Sequence, residues 1–150
     1  MYTIRIAIPE DEVRINELFQ EMLRSIYHTE DADGYKEGEL DRFWSGNENR
    51  IFVAEDREVM AFLSVEVHHE QGDYVYLDDF SVTEEYRNRG IGSRLLNAAE
   101  SYAKEINIYE VLLHVEKANE LAMSLYERSG YMRYRDDGTR FLMKKNLLPY

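Results

Sequence analysis

Seven consecutive residues, Arg87-Asn88-Arg89-Gly90-Ile91-Gly92-Ser93, have the composition of a site for an anion. They lie between a strand-like run and a helix-like run. The first N–H groups of a helix have no intrahelical partner and carry the positive end of its dipole. Glycines at 90 and 92 would let a diphosphate approach the main chain with no Cβ in the way, and Arg87 and Arg89 bring positive charge to an otherwise acidic chain. Two nucleotide-binding loops do not fit. A dinucleotide fingerprint needs a third glycine near position 95, where Leu95 stands, and a P-loop needs Lys followed by Ser or Thr, which Ser93-Arg94 does not supply.

The elements that must position this loop alternate between strand and helix patterns. Thr3 to Ile8 alternates with Ile4, Ile6 and Ile8 on one face, and Pro9 followed by Glu10, Asp11 and Glu12 suits a helix start. Val13, Leu18, Phe19, Met22, Leu23 and Ile26 then form an apolar stripe at period 3.6. Residues 28–38 are acidic and aromatic and read as a mobile connection, with a short second helix around Leu40, Phe43 and Trp44 ending at Gly46. Arg50 to Glu55, Val59 to His69 and Tyr74 to Val82 read as three antiparallel strands. A helix from about Gly90 to Ile106, a strand at Val111 to Val115, a helix from Glu120 to Ser129 closed by Gly130, and a hairpin of Tyr131 to Arg135 with Thr139 to Lys144 complete the order β-α-α-β-β-β-α-β-α-β-β. That order predicts an α/β (α+β) fold.

The chain has 150 residues, which suits one domain spanning 1–150. No apolar run is long enough for a membrane-spanning helix and no leader pattern opens the chain, so a cytoplasmic protein with no membrane partner is expected. The absence of Cys excludes a cysteine-linked acyl intermediate and thiolate metal sites. Net charge of −12 argues against nucleic acid as a partner. His68 and His69 are neighbours in a strand and point apart, so no metal is expected.

Two blocks carry a family resemblance. Arg87-x-x-Gly90-x-Gly92, preceded by Tyr76-Leu77-Asp78-Asp79-Phe80-Ser81-Val82, resembles the Gln/Arg-x-x-Gly-x-Gly/Ala signature of the GCN5-related N-acetyltransferase (GNAT) superfamily. Asn119 followed by Ala122-Met123-Ser124-Leu125-Tyr126-Glu127-Arg128-Ser129-Gly130-Tyr131 is similar to that superfamily's second signature. The resemblance implies a mixed, mostly antiparallel sheet flanked by helices and splayed between its fourth and fifth strands. It also implies acetyl-coenzyme A as co-substrate, its pantetheine arm meeting main-chain groups of Phe80, Ser81 and Val82 and its diphosphate meeting Arg87, Asn88, Arg89, Gly90, Ile91, Gly92 and Ser93. Paired subunits are common among similar proteins, which leaves a homodimer open.

Acetyl transfer to a primary amine requires loss of an ammonium proton, because alkyl amines have pKa values near ~10. Asp78 and Asp79 are adjacent on one strand and should face opposite ways unless a β-bulge intervenes. Asp78 is the expected base because it occupies the place where some family members carry Glu; Asp79 or a water relay would also serve. By resemblance, Tyr126 would protonate the departing thiolate, against core packing as the plain role of an aromatic at that spacing. Asn119 suits either a helix cap or contact with the cofactor arm. The acidic stretch Tyr27, His28, Glu30, Asp31, Asp33, Tyr35 and Glu37 would suit a small cationic amine acceptor. A non-catalytic acyl-coenzyme A sensor of the same fold and a peptide or protein N-acetyltransferase are the alternatives.

Overall fold

The computed structural model describes residues 1–148. Seven strands form one sheet: β1 (Thr3–Ile6), β2 (Arg50–Asp56), β3 (Glu58–His68), β4 (Tyr74–Val82), β5 (Glu110–Glu116), β6 (Met132–Asp136) and β7 (Arg140–Asn146). Three α-helices accompany them: α1 (Glu12–Tyr27), α2 (Ile91–Glu105) and α3 (Glu120–Arg128). The strand order is β1-β2-β3-β4-β5-β7-β6, antiparallel throughout except for the parallel pair β4–β5. This is the expected mixed α/β architecture. The predicted second helix is a single 3-10 turn, Asp41–Phe43, because only Leu40 and Phe43 there are buried and one turn suffices to seat both.

The helices lie on opposite faces of the sheet, as alternation along the strands requires. On one face Ile15 and Leu18 of α1 pack with Ile51, Val53 and Phe62. On the other, Leu95, Leu96, Ala99 and Ala103 of α2 pack with Leu63, Val65, Val75, Val111 and Leu113, and Met123 and Tyr126 of α3 join the same cluster. Leu18 and Leu95 are fully buried, each contributing about 2 kcal/mol from apolar area removed from water. Thus α1 and α2 clamp the centre of the sheet, and β4 lies between them.

Two irregularities shape the site. Pairing of β4 with β5 is confined to Val75, Tyr76 and Leu77 against Val111, Leu112 and Leu113, so the remainder of β4 diverges from β5. Across β3, Leu63 pairs with Phe80 and Val65 with Leu77, which sets Asp78 and Asp79 together opposite Ser64. That two-against-one count is a β-bulge. Its extra backbone group is satisfied, since the Asp79 N–H donates to Ser64 Oγ at 2.8 Å.

The connection over residues 28–40 has no helix or strand, yet it is tied down rather than loose. Tyr35 stacks on Phe19 with ring centroids 4.0 Å apart, its N–H donates to Asn16 Oδ1 at 2.7 Å, and its hydroxyl donates to Asp79 Oδ2 at 2.6 Å. Gln20 also donates to the Ala32 carbonyl at 3.1 Å. The mobility expected from its acidic composition is offset by these contacts to α1 and β4.

Candidate active site

Where β4 and β5 part, a cleft of about 420 Å³ opens between the sheet, the start of α2 and one side of α3. Asp78, Phe80 and Val82 line it from β4, His114, Val115 and Glu116 from β5, and Asn119, Leu125, Tyr126 and Arg128 from α3 and its approach. Arg87, Asn88, Gly90, Ile91, Gly92 and Ser93 close one end. The structure therefore brings together most of the residues singled out from the sequence.

The glycine loop ends in a helix start with no side-chain cap. Gly90 is the N-cap residue, at φ +79°, and Asn88 is also left-handed, at φ +64°. No acidic side chain sits in the first turn of α2, so the N–H groups of Ile91, Gly92 and Ser93 keep the partial positive charge of a free helix N-terminus. The two glycines do different work. A Cβ on Gly90 would meet nothing, so glycine is needed there for its backbone angle; a Cβ on Gly92 would come 3.2 Å from Leu125 Cδ2 and 3.3 Å from Phe80 Cζ, so glycine is needed there for packing. The arginines are also partly committed. Arg87 Nε donates to the Val82 carbonyl at 2.8 Å and its guanidinium lies 3.6 Å from Glu21, while Arg89 stacks over Tyr86. Arg128, which sequence reasoning missed, supplies a further cation on the cleft wall, held by Ser124 at 2.8 Å.

Ser81 is buried, its hydroxyl donating to the Leu18 carbonyl at 3.2 Å, so only its main chain is available to a ligand. Asn119 caps α3 by accepting from the Ala122 N–H at 3.2 Å, and it lines the cleft as well. Tyr126 is 8% exposed, packed at 6.2 Å from Phe80 and 6.0 Å from Tyr131 between ring centroids. Among the described residues its hydroxyl has no hydrogen-bond partner, and burial pushes the phenol above its ordinary pKa. A protonated phenol with an uncommitted hydrogen is thus held at the cleft.

The two aspartates of the bulge have different partners. Asp79 accepts from Tyr35 and is half-buried beneath it, whereas Asp78 faces the cleft and is open to solvent. Crowding by the protein, followed by the neighbouring charges of Asp79 and Glu66, pushes the Asp78 carboxyl up to about 7. Glu66 is in turn held by Arg42 at 3.0 Å and His68 at 3.3 Å. His69 binds Glu48 and Asp73 on the surface, away from the cleft.

Sequence reasoning also missed His114 and Tyr76. Nothing in their spacing marks them, since they lie 38 positions apart and meet only because β4 and β5 run parallel. The Tyr76 hydroxyl is 2.5 Å from Nδ1 of His114, and Nε2 of that ring is 2.8 Å from Asp137 Oδ2 in the β6–β7 turn. Burial, then the charge of Asp78, pushes the Tyr76 phenol up to about 12.

Known proteins resemble this chain in sequence and in fold. The N-alpha-acetyltransferase 30 of Schizosaccharomyces pombe is 38% identical over 60 residues, covering 40% of this chain and 40% of that protein. The uncharacterised N-acetyltransferase YhfO of Bacillus subtilis is 31% identical over 136 residues, covering 85% of this chain and 88% of its own. The chain spans two fifths or less of the first curated relatives it matches. A crystal structure of the PaiA N-acetyltransferase from Thermoplasma acidophilum in complex with coenzyme A has the same fold, with a TM-score of 0.79 and 23% identity over 97% of this chain and 99% of that one. The acetyltransferase (GNAT) family matches residues 14–131, a stretch holding the bulged strand, the uncapped helix and Tyr126 alike, and the chain belongs to that family.

Proposed function

We propose that this chain is a cytoplasmic enzyme that transfers an acetyl group from acetyl-coenzyme A directly to the primary amine of a small cationic acceptor. The observation that carries the reading is one cleft lined at once by an uncapped helix start, a raised-pKa carboxylate and a buried phenol with a free hydrogen. The free N–H groups of Ile91, Gly92 and Ser93 suit a diphosphate, and the main chain of Phe80, Ser81 and Val82, beyond the last β4–β5 pair, suits the amides of a pantetheine arm, as an added strand would. With Arg87 and Arg89 engaged elsewhere, backbone donors carry more of the anion binding than side chains do.

Acetyl-coenzyme A supplies an activated acetyl thioester. Asp78 accepts a proton from the acceptor ammonium, a role that suits a carboxylate titrating near neutral pH. Tyr126 gives its phenol hydrogen to the departing sulfur and regains one as the amide nitrogen sheds its second proton. The balance is one acetamide, one free thiol and one proton released to solvent. The acidic neighbourhood of Glu66, Asp78 and Asp79 favours a cationic acceptor over an anionic one, and a net charge of −12 disfavours nucleic acid and anionic membrane.

A peptide α-amine is the second reading, favoured by the match to an N-alpha-acetyltransferase. A silent acyl-coenzyme A sensor would have no use for a free phenol at the cleft. Thiol release with acetyl-coenzyme A and a panel of polyamines, aminoglycosides and peptides tests all three. Turnover with a small cationic amine is the expected result; turnover only with peptides selects the second reading, and binding without turnover selects the sensor.

A further inference from the structure

Glu100 is an acidic residue in an apolar place. It falls on the buried stripe of α2 with Leu96, Ala99 and Ala103, and it is 7% exposed. Burying a carboxylate costs stability unless its oxygens are hydrogen-bonded. Here both are: Oε1 accepts from Lys145 Nζ on β7 at 2.9 Å, and Oε2 accepts from the Tyr131 hydroxyl at 2.9 Å. Partners on two separate parts of the fold hold the carboxylate in one orientation. Burial, then the charge of Glu100, pushes the Tyr131 phenol above its ordinary range, so the phenol keeps its hydrogen and donates it. Lys145 adds a second hold. Its ammonium lies over the Tyr131 ring at 5.6 Å from the centroid, and its stem runs close to Gly130, where a Cβ would come 3.3 Å from Lys145 Cε.

Tyr126 rests on the side chain that Glu100 secures. The two tyrosine rings meet edge to face at 6.0 Å and 64°, and the Tyr131 N–H donates to the Tyr126 carbonyl at 3.0 Å. The Tyr126 hydroxyl has no hydrogen-bond partner among the described residues, so its ring is placed by its neighbours Phe80 and Tyr131 rather than by a bond at its tip. Phe80 is held by packing, whereas Tyr131 is also tied at its far end. We propose that Glu100 is a positioning residue that, by holding the Tyr131 hydroxyl, fixes the ring on which Tyr126 rests and so keeps the Tyr126 phenol aimed at the thioester sulfur. The sulfur as target rests on the acetyl-transfer reading; the link from Glu100 to Tyr126 does not. Glu100 itself lies outside the cleft lining.

The test compares Glu100→Leu, which removes the acceptor, with Glu100→Gln, which removes the charge but keeps an oxygen for the Tyr131 hydroxyl. With the acceptor that turns over best in the amine panel, Glu100→Leu should lower kcat about tenfold while KM for the amine and calorimetric affinity for coenzyme A stay unchanged; Glu100→Gln should recover most of that loss. In the Tyr126→Phe background, with no phenol to aim, the same leucine substitution should change kcat less than about twofold. Tyr131→Phe removes the same bond from its other end and serves in place of Glu100→Leu if that variant does not fold. In spectra of the full chain with 13Cζ-labelled tyrosine, the Tyr126 line is assigned by its loss in Tyr126→Phe. That line should shift or broaden in Glu100→Leu and return in Glu100→Gln. An equal loss of kcat in both backgrounds, a Glu100→Gln variant as impaired as Glu100→Leu, or an unmoved Tyr126 line overturns the proposal. Absence of turnover in the unsubstituted chain would defeat the transferase reading alone, because the tyrosine spectrum still reports the link.

Discussion

Asp78 and Asp79 are chemically identical neighbours on one bulge, yet one lines the cleft and the other is held by Tyr35. Because Asp78 is the carboxylate left facing the cleft, Asp78→Asn should lower turnover about a hundredfold at pH 7 and less at high pH, where the amine sheds its proton unaided; a pH–rate profile checks this. The same substitution should stabilise the fold. A carboxyl raised from 3.8 to about 7 binds its proton more tightly in the native state, so the native form loses stability as pH rises from about 4 to about 7 and stays penalised above that. Melting curves should therefore show Asp78→Asn gaining on the order of 1 kcal/mol at pH 8, after allowance for solvent screening, and little at pH 4. For Tyr126→Phe the ring packing against Phe80 and Tyr131 survives, so kcat should fall about a hundredfold while calorimetry finds coenzyme A affinity intact.

At the scale of elements, the start of α2 concentrates the constraints. Gly90→Ala forces a side chain to φ +79° and should cost about 1 kcal/mol while distorting the loop. Gly92→Ala would press on Leu125 and Phe80 and so shift α3 against β4; a weakened coenzyme A affinity, read by calorimetry, is expected for both. The loop, its flanking strand and helix, and the Asn119-to-Tyr131 block were legible because their signals are local: period, turn residues and spacing within a few positions. The packing reason for Gly92 was not, since the contacts that demand it come from Leu125 on α3 and Phe80 on β4, which only the fold brings to it. The bulge at Asp78 and Asp79 needs the register with Ser64, the seating of residues 28–40 needs Tyr35 to find Phe19 and Asp79, and the Tyr76–His114–Asp137 line needs two strands and the turn of the closing hairpin in place. Such facts are pairings across the sheet, which a linear pattern does not encode.

For the molecule as a whole, a ligand that binds only the native state adds its binding free energy to stability. Acetyl-coenzyme A at a hundred times its Kd should supply about 2.7 kcal/mol, a rise in melting temperature of about 5 to 10 °C for a chain of this size, and no shift would count against the site. The three-residue seam between β4 and β5 has a mechanical consequence. Strands β1 to β4 and strands β5 to β7 are two panels hinged along a short line of parallel bonds, steadied on one side by α2. A thioester carrier lying in the gap would act as a missing eighth strand and weld the panels. Amide exchange in the free chain should therefore be fastest along the edges that flank the gap, and occupancy should slow it on both panels at once, turning two loosely coupled halves into one cooperative unit.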